Sequence, residues 1–253
     1  MKAYRFANYV LLAAASGLPL VASSQPSTLS PEELVERAIG YHDPKNVWQD
    51  PHELRLEEKR PNGVVRNTRI VLNQRRAAME MERELLDEET KQKVALWMSV
   101  VGERVDRKIN GSRDVSEDDA ERYRLGPDQG RSTRNYYAYL YGLPMKLKDP
   151  GTKLHSPVRT VAFDGKEALE LRVTYSEEVG SDTWYFYFHP ERFALIGYRF
   201  YHDESKNDGE YITLAGEMES PDGMRLPQVR TWYTHADDRL LGTDSIVSLS
   251  PLR

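Results

Sequence analysis

Trp184-Tyr185-Phe186-Tyr187-Phe188 is the stretch that decides the fold, because aromatic residues favour the pleated, half-buried surface of a β-strand. Successive side chains of a strand point to opposite faces of its sheet, so Trp184, Phe186 and Phe188 share one face while Tyr185 and Tyr187 share the other. A half-exposed strand normally has one polar face, and this strand has none. We therefore predict that helices cover one face and that the other face lines an amphipathic hollow.

The next predicted strand repeats this pattern, with aromatic residues on both of its faces. Its two sets of side chains are Tyr198, Phe200 and His202 on one face, and Leu195, Arg199 and Tyr201 on the other. Three interpretations stay open. The sheet is buried on both sides by its own helices and loops, or one face holds a ligand, or the aromatic face contacts another protein, since exposed aromatic area often marks a contact site.

Turn residues divide much of the remaining sequence into consecutive hairpins. Pro61-Asn62-Gly63, Asp164-Gly165 and Pro221-Asp222-Gly223 each join two alternating segments, and Asn, Asp and Gly tolerate the positive φ that tight turns need. Consecutive hairpins predict an antiparallel meander, because parallel strands need long crossovers. The predicted strands are residues 52–60, 64–72, 100–109, 158–163, 168–175, 182–189, 194–202, 210–219, 225–234 and 243–249.

Helices are predicted at three places. Ser30 caps a helix that has Pro31 at its first position, and this helix ends at Asp43 because the following proline disfavours the α region there. Shorter helices are predicted over 116–123 and 135–141, with 126–131 as a loop. The four tyrosines within 135–141 would suit a strand equally well. Residues 77–98 alternate like strands but are rich in strong helix formers. We predict two strands around a charged turn at 87–90, with helix as the alternative.

The N-terminal residues have the order of a secretory signal peptide. Lys2 and Arg5 precede an apolar run over 6–22, and small residues follow up to Ser24. We predict cleavage after Ser24, which leaves residues 25–253 as a single curved-sheet domain that is periplasmic or extracellular. The alternative is an uncleaved anchor helix, for which the apolar run is short.

Composition narrows the classes of partner. The chain contains no Cys, so neither disulfides nor a lipid-modified cysteine are available, and stability has to come from a buried core. The formal net charge is −5, and removal of the signal peptide makes it more negative. Nucleic acid is therefore not expected as a partner, because phosphate binding needs a basic face. No segment after the signal peptide is apolar enough to predict a membrane span.

Several local strings together resemble an uncharacterised family of exported bacterial proteins, a domain of unknown function. The resemblance spans nearly all of the sequence after the signal peptide, and it implies no activity. The strings are Tyr41-His42-Asp43-Pro44 with Trp48, Tyr141-Gly142-Leu143-Pro144-Met145-Lys146-Leu147-Lys148-Asp149-Pro150-Gly151, Asp182-Thr183 ahead of the aromatic run, Gly197-Tyr198-Arg199-Phe200-Tyr201-His202-Asp203-Glu204, Asp208-Gly209-Glu210-Tyr211-Ile212, and Gly242-Thr243-Asp244.

The C-terminal half is also similar to the lipoprotein carrier and receptor proteins of the periplasm (LolA/LolB-like). The shared elements are Phe188-His189-Pro190-Glu191 at a strand end, and Asp222-Gly223-Met224-Arg225-Leu226-Pro227 ahead of Trp232-Tyr233. The resemblance implies an α+β fold: a curved antiparallel sheet, described as an unclosed barrel, with short helices covering one face and an apolar hollow for acyl chains. Those proteins more often have Asp ahead of the first proline, where this chain has His189.

Motifs that would indicate catalysis or metal binding are weak. There is no Cys nucleophile and no G-x-S-x-G elbow, so no catalytic residue is assigned. The loop with Asp203, Ser205, Asn207 and Glu210 lacks the Ca²⁺-loop spacing, because its glycine comes one position late. A hairpin turn explains it better, and we expect neither a metal nor another cofactor.

The leading hypothesis is non-catalytic binding of a lipid, an acylated molecule or another amphipathic ligand in the concave sheet. The expected contacts are Tyr185, Tyr187, Arg199, Tyr201 and Trp232 on the sheet, and Lys146 and Lys148 in a Pro- and Gly-rich loop, where the lysines would meet an anionic head group. One alternative is a module that binds another envelope protein. Another is a hydrolase-type enzyme with His189 or His202 as general base.

Overall fold

The structure, a computed structural model, describes residues 25–87 and 89–252. The predicted signal peptide and its cleavage point lie outside the described residues. Within them, thirteen strands form one antiparallel sheet. The strands are β1 Gln25–Pro26, β2 His52–Lys59, β3 Val65–Asn73, β4 Ala78–Leu86, β5 Lys93–Val101, β6 Arg104–Ile109, β7 Thr152–Phe163, β8 Lys166–Tyr175, β9 Thr183–Phe188, β10 Leu195–Tyr201, β11 Glu210–Glu219, β12 Arg225–Thr234 and β13 Leu240–Pro251.

The helices lie in two segments that connect strands, the one between β1 and β2 and the one between β6 and β7. They are α1 Pro31–His42, α2 Glu117–Arg122 and α3 Pro127–Tyr141 among the described residues, with short 3-10 turns at Gln74–Arg76, Met145–Lys148 and Glu204–Lys206. No helix in the described part of the chain combines the length and the apolar composition needed to span a membrane.

The strand order follows the chain over most of the sheet. It is β1-β7-β8-β9-β10-β11-β12-β13-β2-β3-β4-β5-β6, and every neighbouring pair is antiparallel. The predicted meander is therefore confirmed. Pairing between β13 and β2 joins the consecutive strands β7 to β13 and the consecutive strands β2 to β6 into one continuous sheet. Its outermost strands, β1 and β6, do not pair with each other. That residues 25–253 form a single domain stays a prediction.

The sheet curls around α3. Tyr139 of α3 packs edge-on against Tyr175 of β8, with ring centroids 6.1 Å apart. At the other end of the helix, a Cβ on Gly130 would lie 3.1 Å from Met98 Sδ of β5. Strands β8 and β5 are nine positions apart in the sheet. At about 4.8 Å per strand a flat sheet would separate them by about 43 Å, roughly twice the length of this helix. The face that contacts α3 is therefore the concave one.

A continuous core fills this concave face. Leu171, Phe186, Tyr198, Ile212 and Trp232 are directly opposite one another on β8 to β12 and form a row through the core. Residues of α1, including Leu34 and Ala38, and Tyr137 of α3 pack in the same cluster. The predicted architecture is confirmed: a curved, unclosed antiparallel sheet with helices on one face.

Two predictions about local structure need correction. Residues 126–131 are not a loop, because α3 begins at Pro127 and Gly130 packs against β5 and β6, where a Cβ would meet Val105 Cγ1 at 2.9 Å. Residues 100–109 are not one strand either. Strand β5 continues to Val101, and Gly102, with φ of +56°, turns the chain into β6. The two strands predicted within 77–98 are confirmed as β4 and β5.

Candidate functional site

Four of the predicted ligand contacts lie together on the outer, convex face of the sheet. Tyr187 stacks on Phe163 with ring centroids 4.0 Å apart, and the guanidinium of Arg199 lies 5.4 Å from the Tyr187 ring. Tyr201 stacks on a histidine ring from the β12–β13 turn. The hydroxyl of Tyr185 donates to a glutamate carboxylate at 2.6 Å. They alternate along β9 and β10 with Phe186 and Tyr198 of the core, so they do not line the concave surface to which the sequence assigned them.

A glycine and a β-bulge explain this packing. A Cβ on Gly197 would lie 2.2 Å from Phe163 Cε1, so only glycine lets the Phe163 ring lie flat over β10 beside Tyr187. Directly before it, a register shift between Leu195 and Gly197 inserts one extra residue. Simple alternation placed Leu195 on the same face as Arg199. The bulge instead turns Leu195 into the main core, where it is 4% exposed.

Trp232 and the two loop lysines lie elsewhere. Trp232 is on the concave face, 8% exposed, and its Nε1 donates to Asp244 Oδ2 at 3.0 Å. It therefore does not share a surface with Tyr187 and Arg199. Lys148 forms an ion pair with a glutamate of α1. Lys146 lines a cleft described next, where it is paired with Asp149.

One cleft of about 630 Å³, which we call the α3 cleft, is lined by both aromatic and charged side chains. Its floor is α3, and one wall is the turn between β3 and β4. The opposite wall comes from the loop before β7, the start of β7, and the β8–β9 loop with the adjoining ends of those two strands. The lining residues are Asn73, Gln74, Ala77, Ala78, Arg134, Asn135, Ala138, Tyr139, Lys146, Asp149, Pro150, Thr152, Tyr175, Glu178, Val179, Gly180, Asp182 and Trp184.

Three aromatic rings form the least polar part of the α3 cleft. Tyr139 packs edge-on against Trp184 at 5.3 Å and against Tyr175 at 6.1 Å. The two tyrosine hydroxyls are hydrogen-bonded to each other. Burial raises the pKa of Tyr175 to about 12 and raises the pKa of Tyr139 well above its usual value. Both phenols are therefore neutral at physiological pH.

A histidine–carboxylate pair stands beside the cleft. Asp182 lines it, and Asp182 Oδ1 lies 2.9 Å from Nδ1 of His202. The hydrogen bond to this carboxylate raises the pKa of His202. His189 lacks a comparable arrangement, because its Nδ1 accepts the backbone N–H groups of Glu191 and Arg192.

Comparison with a model of a family of unknown function, DUF6503, gives a match over residues 18–248. The chain belongs to this family. The predicted membership of an uncharacterised family is thereby confirmed. A search of curated proteins found no match to this DUF6503 sequence.

Two solved structures resemble the DUF6503 chain at low sequence identity. One is described as an outer membrane lipoprotein-sorting protein domain from Vibrio parahaemolyticus, with 10% identity, a TM-score of 0.47 and coverage of 87% of this chain and 92% of that one. The other is a DUF1329 family protein from Desulfovibrio piger, with 10% identity, a TM-score of 0.48 and coverage of 88% and 94%. Neither likeness bears on what this DUF6503 chain binds.

Sequence reasoning missed a buried polar cluster on the concave face of the DUF6503 chain. Glu58 is 4% exposed and accepts hydrogen bonds from Thr68 at 2.7 Å, from Arg83 at 3.1 Å and from Tyr137 at 3.2 Å. Burial raises the pKa of nearby Asp244. Tyr137 belongs to α3, so the cluster fixes the helix that forms the floor of the cleft. The sequence carried a signal for this cluster, because alternation along β2 places Glu58 on the same inward face as Leu54 and Leu56, close to the β2–β3 turn.

Metal binding has no support in the described parts of the DUF6503 chain. Across residues 25–87 and 89–252 no three His, Asp or Glu side chains are grouped as a metal site would need. The loop considered for Ca²⁺ is a capped turn. Asp203 Oδ1 accepts from the backbone N–H of Ser205 at 3.0 Å, and Asn207 adopts a positive φ of 50°.

Proposed function

We propose that this chain binds a lipid, an acylated molecule or another amphipathic ligand in the α3 cleft. One observation carries the proposal: about 630 Å³ of space lies against the aromatic trio of Tyr139, Tyr175 and Trp184, with charged side chains around it. Small-molecule sites typically measure about 300–1,000 Å³ and combine apolar walls with a few polar groups. An amphipathic molecule matches that distribution of surfaces.

Apolar contact supplies most of the binding free energy in this proposal. Ala138, Val179 and the aromatic trio present carbon surface to the ligand. Each methylene group that leaves water contributes about 0.8 kcal/mol, so affinity rises with chain length until the cleft is full. Of the contacts predicted from sequence, Lys146 belongs to the proposed site, because it lines the cleft. The outer-face set of Tyr185, Tyr187, Arg199 and Tyr201 is not part of the proposed site.

The proposal also includes export. A signal peptide that ends at Ser24 would deliver residues 25–253 to the periplasm or to the exterior. N-terminal sequencing of the protein from its native cells tests this directly. A mature chain that begins within a few residues of Gln25 supports export, and a chain that retains Lys2 and Arg5 contradicts it.

A cleft-filling substitution tests the binding proposal. Ala138→Trp on α3 places a large side chain on the cleft floor, and we expect it to abolish binding of a fluorescent acyl probe. Ser132→Trp is the matched control, because Ser132 is exposed on the same helix and is not part of the cleft. Equal probe binding by both variants, or no binding by the unmodified chain, would contradict the proposal. Native mass spectrometry of protein from its own envelope identifies any copurified ligand.

A second candidate function is catalysis with His202 as general base. The observation in its favour is the 2.9 Å contact between His202 and Asp182, since a carboxylate on one ring nitrogen makes the other a better base. The proposed role needs ester substrates to reach the rim of the cleft. Turnover of an acyl ester that His202→Asn removes would support catalysis, and equal turnover by both proteins would exclude this role.

A further inference from the structure

Strands β10 and β11 separate before β11 ends. Their pairing stops at Gly197 opposite Thr213. Strand β11 continues to Glu219, and β12 stays paired with it up to that residue. Within the described parts of the chain, the segment 214–219 of β11 therefore has a neighbouring strand on one side only. Its other edge carries backbone N–H and C=O groups that pair with no strand.

Backbone irregularities in both strands account for this separation. In β10, the extra residue between Leu195 and Gly197 shifts the register. In β11, Gly216 has a φ of +65°, and a Cβ there would lie 2.9 Å from Gln228 Oε1. A glycine inside a strand often marks a bend, or a place where another backbone approaches closely. The separation therefore follows from the local backbone of both strands.

A cleft of about 920 Å³, which we call the β10–β11 cleft, lies at this separation. Leu195 and Ile196 of β10 line it, together with the segment 214–217 of β11. Residues 215–217 are exposed, so the unpaired edge of β11 is open to solvent. Among the described residues, none lines both this cleft and the α3 cleft. The two are separate openings in the protein.

The end of α1 keeps the two strands apart. Nε2 of His42 accepts the N–H of Leu195 at 2.9 Å, so a side chain and not β11 satisfies this group of β10. Nδ1 of the same ring lies 2.7 Å from the carbonyl oxygen of Arg225 in β12. The hydroxyl of Tyr41 donates to Glu217 Oε2 at 2.5 Å, which ties β11 to the same helix. A site that is formed in advance loses little free energy to ordering when a partner binds.

The unpaired edge of β11 indicates the chemistry of the partner. A strand rises about 3.3 Å per residue, so the six residues 214–219 offer about 20 Å of backbone donors and acceptors. An extended polypeptide carries complementary groups at the same repeat and adds to such an edge as a further strand. Ile196 and Leu214 offer apolar contact to its side chains. Side chains of both charge signs line the cleft, so main-chain pairing rather than charge selects the partner.

We propose that the β10–β11 cleft binds an extended segment of another polypeptide, which pairs with residues 214–219 of β11 as an added strand. This inference is independent of the proposed ligand, because it uses a different opening. A second copy of the chain is a poorer occupant. Edge-to-edge pairing of two β11 strands would bring Glu217 and Glu219 of both copies onto one short ladder, where like charges destabilise the pairing.

Selection from a phage-displayed library of random dodecapeptides tests the inference. We expect a selected peptide to bind the unmodified chain and Ala162→Trp equally, and to bind Ala215→Trp at least about tenfold more weakly. Ala215 lines the cleft, whereas Ala162 is an exposed strand alanine that does not. No selected peptide, or equal binding to both variants, overturns the proposal. Dimerisation that Ala215→Trp abolishes would assign the edge to a second copy and overturn it as well.

Backbone methylation of the selected peptide tests the pairing on the unmodified chain. Successive amides of a strand point to opposite sides, so only one alternate set of amide nitrogens faces β11. We expect methylation of that set to weaken binding about tenfold and methylation of the other set to change it little. Hydrogen exchange within 214–219 should slow when the peptide binds. Equal effects of the two methylated sets, or unchanged exchange in this segment, would refute strand addition.

Discussion

His42 should make the stability of this protein fall steeply in mild acid. The imidazole is 2% exposed at the end of α1. Its Nδ1 lies 2.7 Å from the carbonyl oxygen of Arg225 in β12, and its Nε2 lies 2.9 Å from the backbone nitrogen of Leu195 in β10. The carbonyl needs a donor and the N–H needs an acceptor. Only the neutral ring, protonated at Nδ1, supplies both.

The size of the effect follows from the pKa. Burial lowers the pKa of His42 from 6.5 to about 4. In the unfolded chain the ring becomes protonated as the pH falls through 6.5, whereas in the folded chain it stays neutral until about pH 4. The unfolded state therefore binds more protons between these values. This residue removes about 2 kcal/mol of stability between pH 7 and pH 5 and about 3 kcal/mol by pH 4. A helix C-terminus favours a cationic ring by only about 0.3–1 kcal/mol, so burial prevails.

Urea unfolding followed by tryptophan fluorescence measures this dependence. Wild type and His42→Gln are compared at pH 7 and pH 5. The glutamine variant is less stable at pH 7, because it loses the hydrogen bonds of the imidazole to Arg225 and Leu195. Between pH 7 and pH 5, however, its stability should fall by about 2 kcal/mol less than that of the wild type. Equal losses in the two proteins would refute the reasoning.

Three further predictions follow from named contacts. Gly197→Ala should lower the free energy of unfolding by about 1–3 kcal/mol, because its Cβ would meet the Phe163 ring. Thermal denaturation of Gly197→Ala, alone and combined with Phe163→Ala, checks this. The second substitution removes the ring and should recover part of the lost stability. Ser30→Ala should cost about 1 kcal/mol by removing the cap that accepts the Glu33 N–H at 3.1 Å, whereas Ser30→Asp should not. Tyr137→Phe should destabilise the protein by about 1–3 kcal/mol, because Glu58 and Arg83 lose a buried partner; an unchanged urea midpoint would contradict the role given to this cluster.

Strands and turns were predictable because their signals are local. Asp164 and Gly165 both adopt positive φ, at 49° and 70°, as the turn chemistry of this dipeptide indicates. The helix over α1 followed from Ser30 and Pro31 for the same reason. Local signals fail where one residue breaks the alternation, as the extra residue between Leu195 and Gly197 does, or where packing makes a helix out of loop-like residues, as at Gly130.

The position of the candidate site depends on tertiary structure and was not predictable. Alternation separated Trp184 from Tyr185 correctly, but it does not determine which face becomes concave. That choice depends on α3 lying inside the curl of the sheet. The walls of the α3 cleft come from four separate segments, within 73–78, 134–139, 146–152 and 175–184. No spacing along the sequence connects them, so only Lys146 among the predicted contacts lies in the cleft.

Photo-crosslinking with a dodecyl amphiphile that bears a diazirine tests the central claim most directly. After irradiation, peptide mapping shows which residues contact the alkyl chain. We predict labels on the α3 segment 134–139 and on the segment 175–184, both lost in Ala138→Trp and retained in Ser132→Trp. Labels confined to the outer face around Arg199 and Tyr211, or labels that Ala138→Trp leaves unchanged, would contradict binding in the α3 cleft.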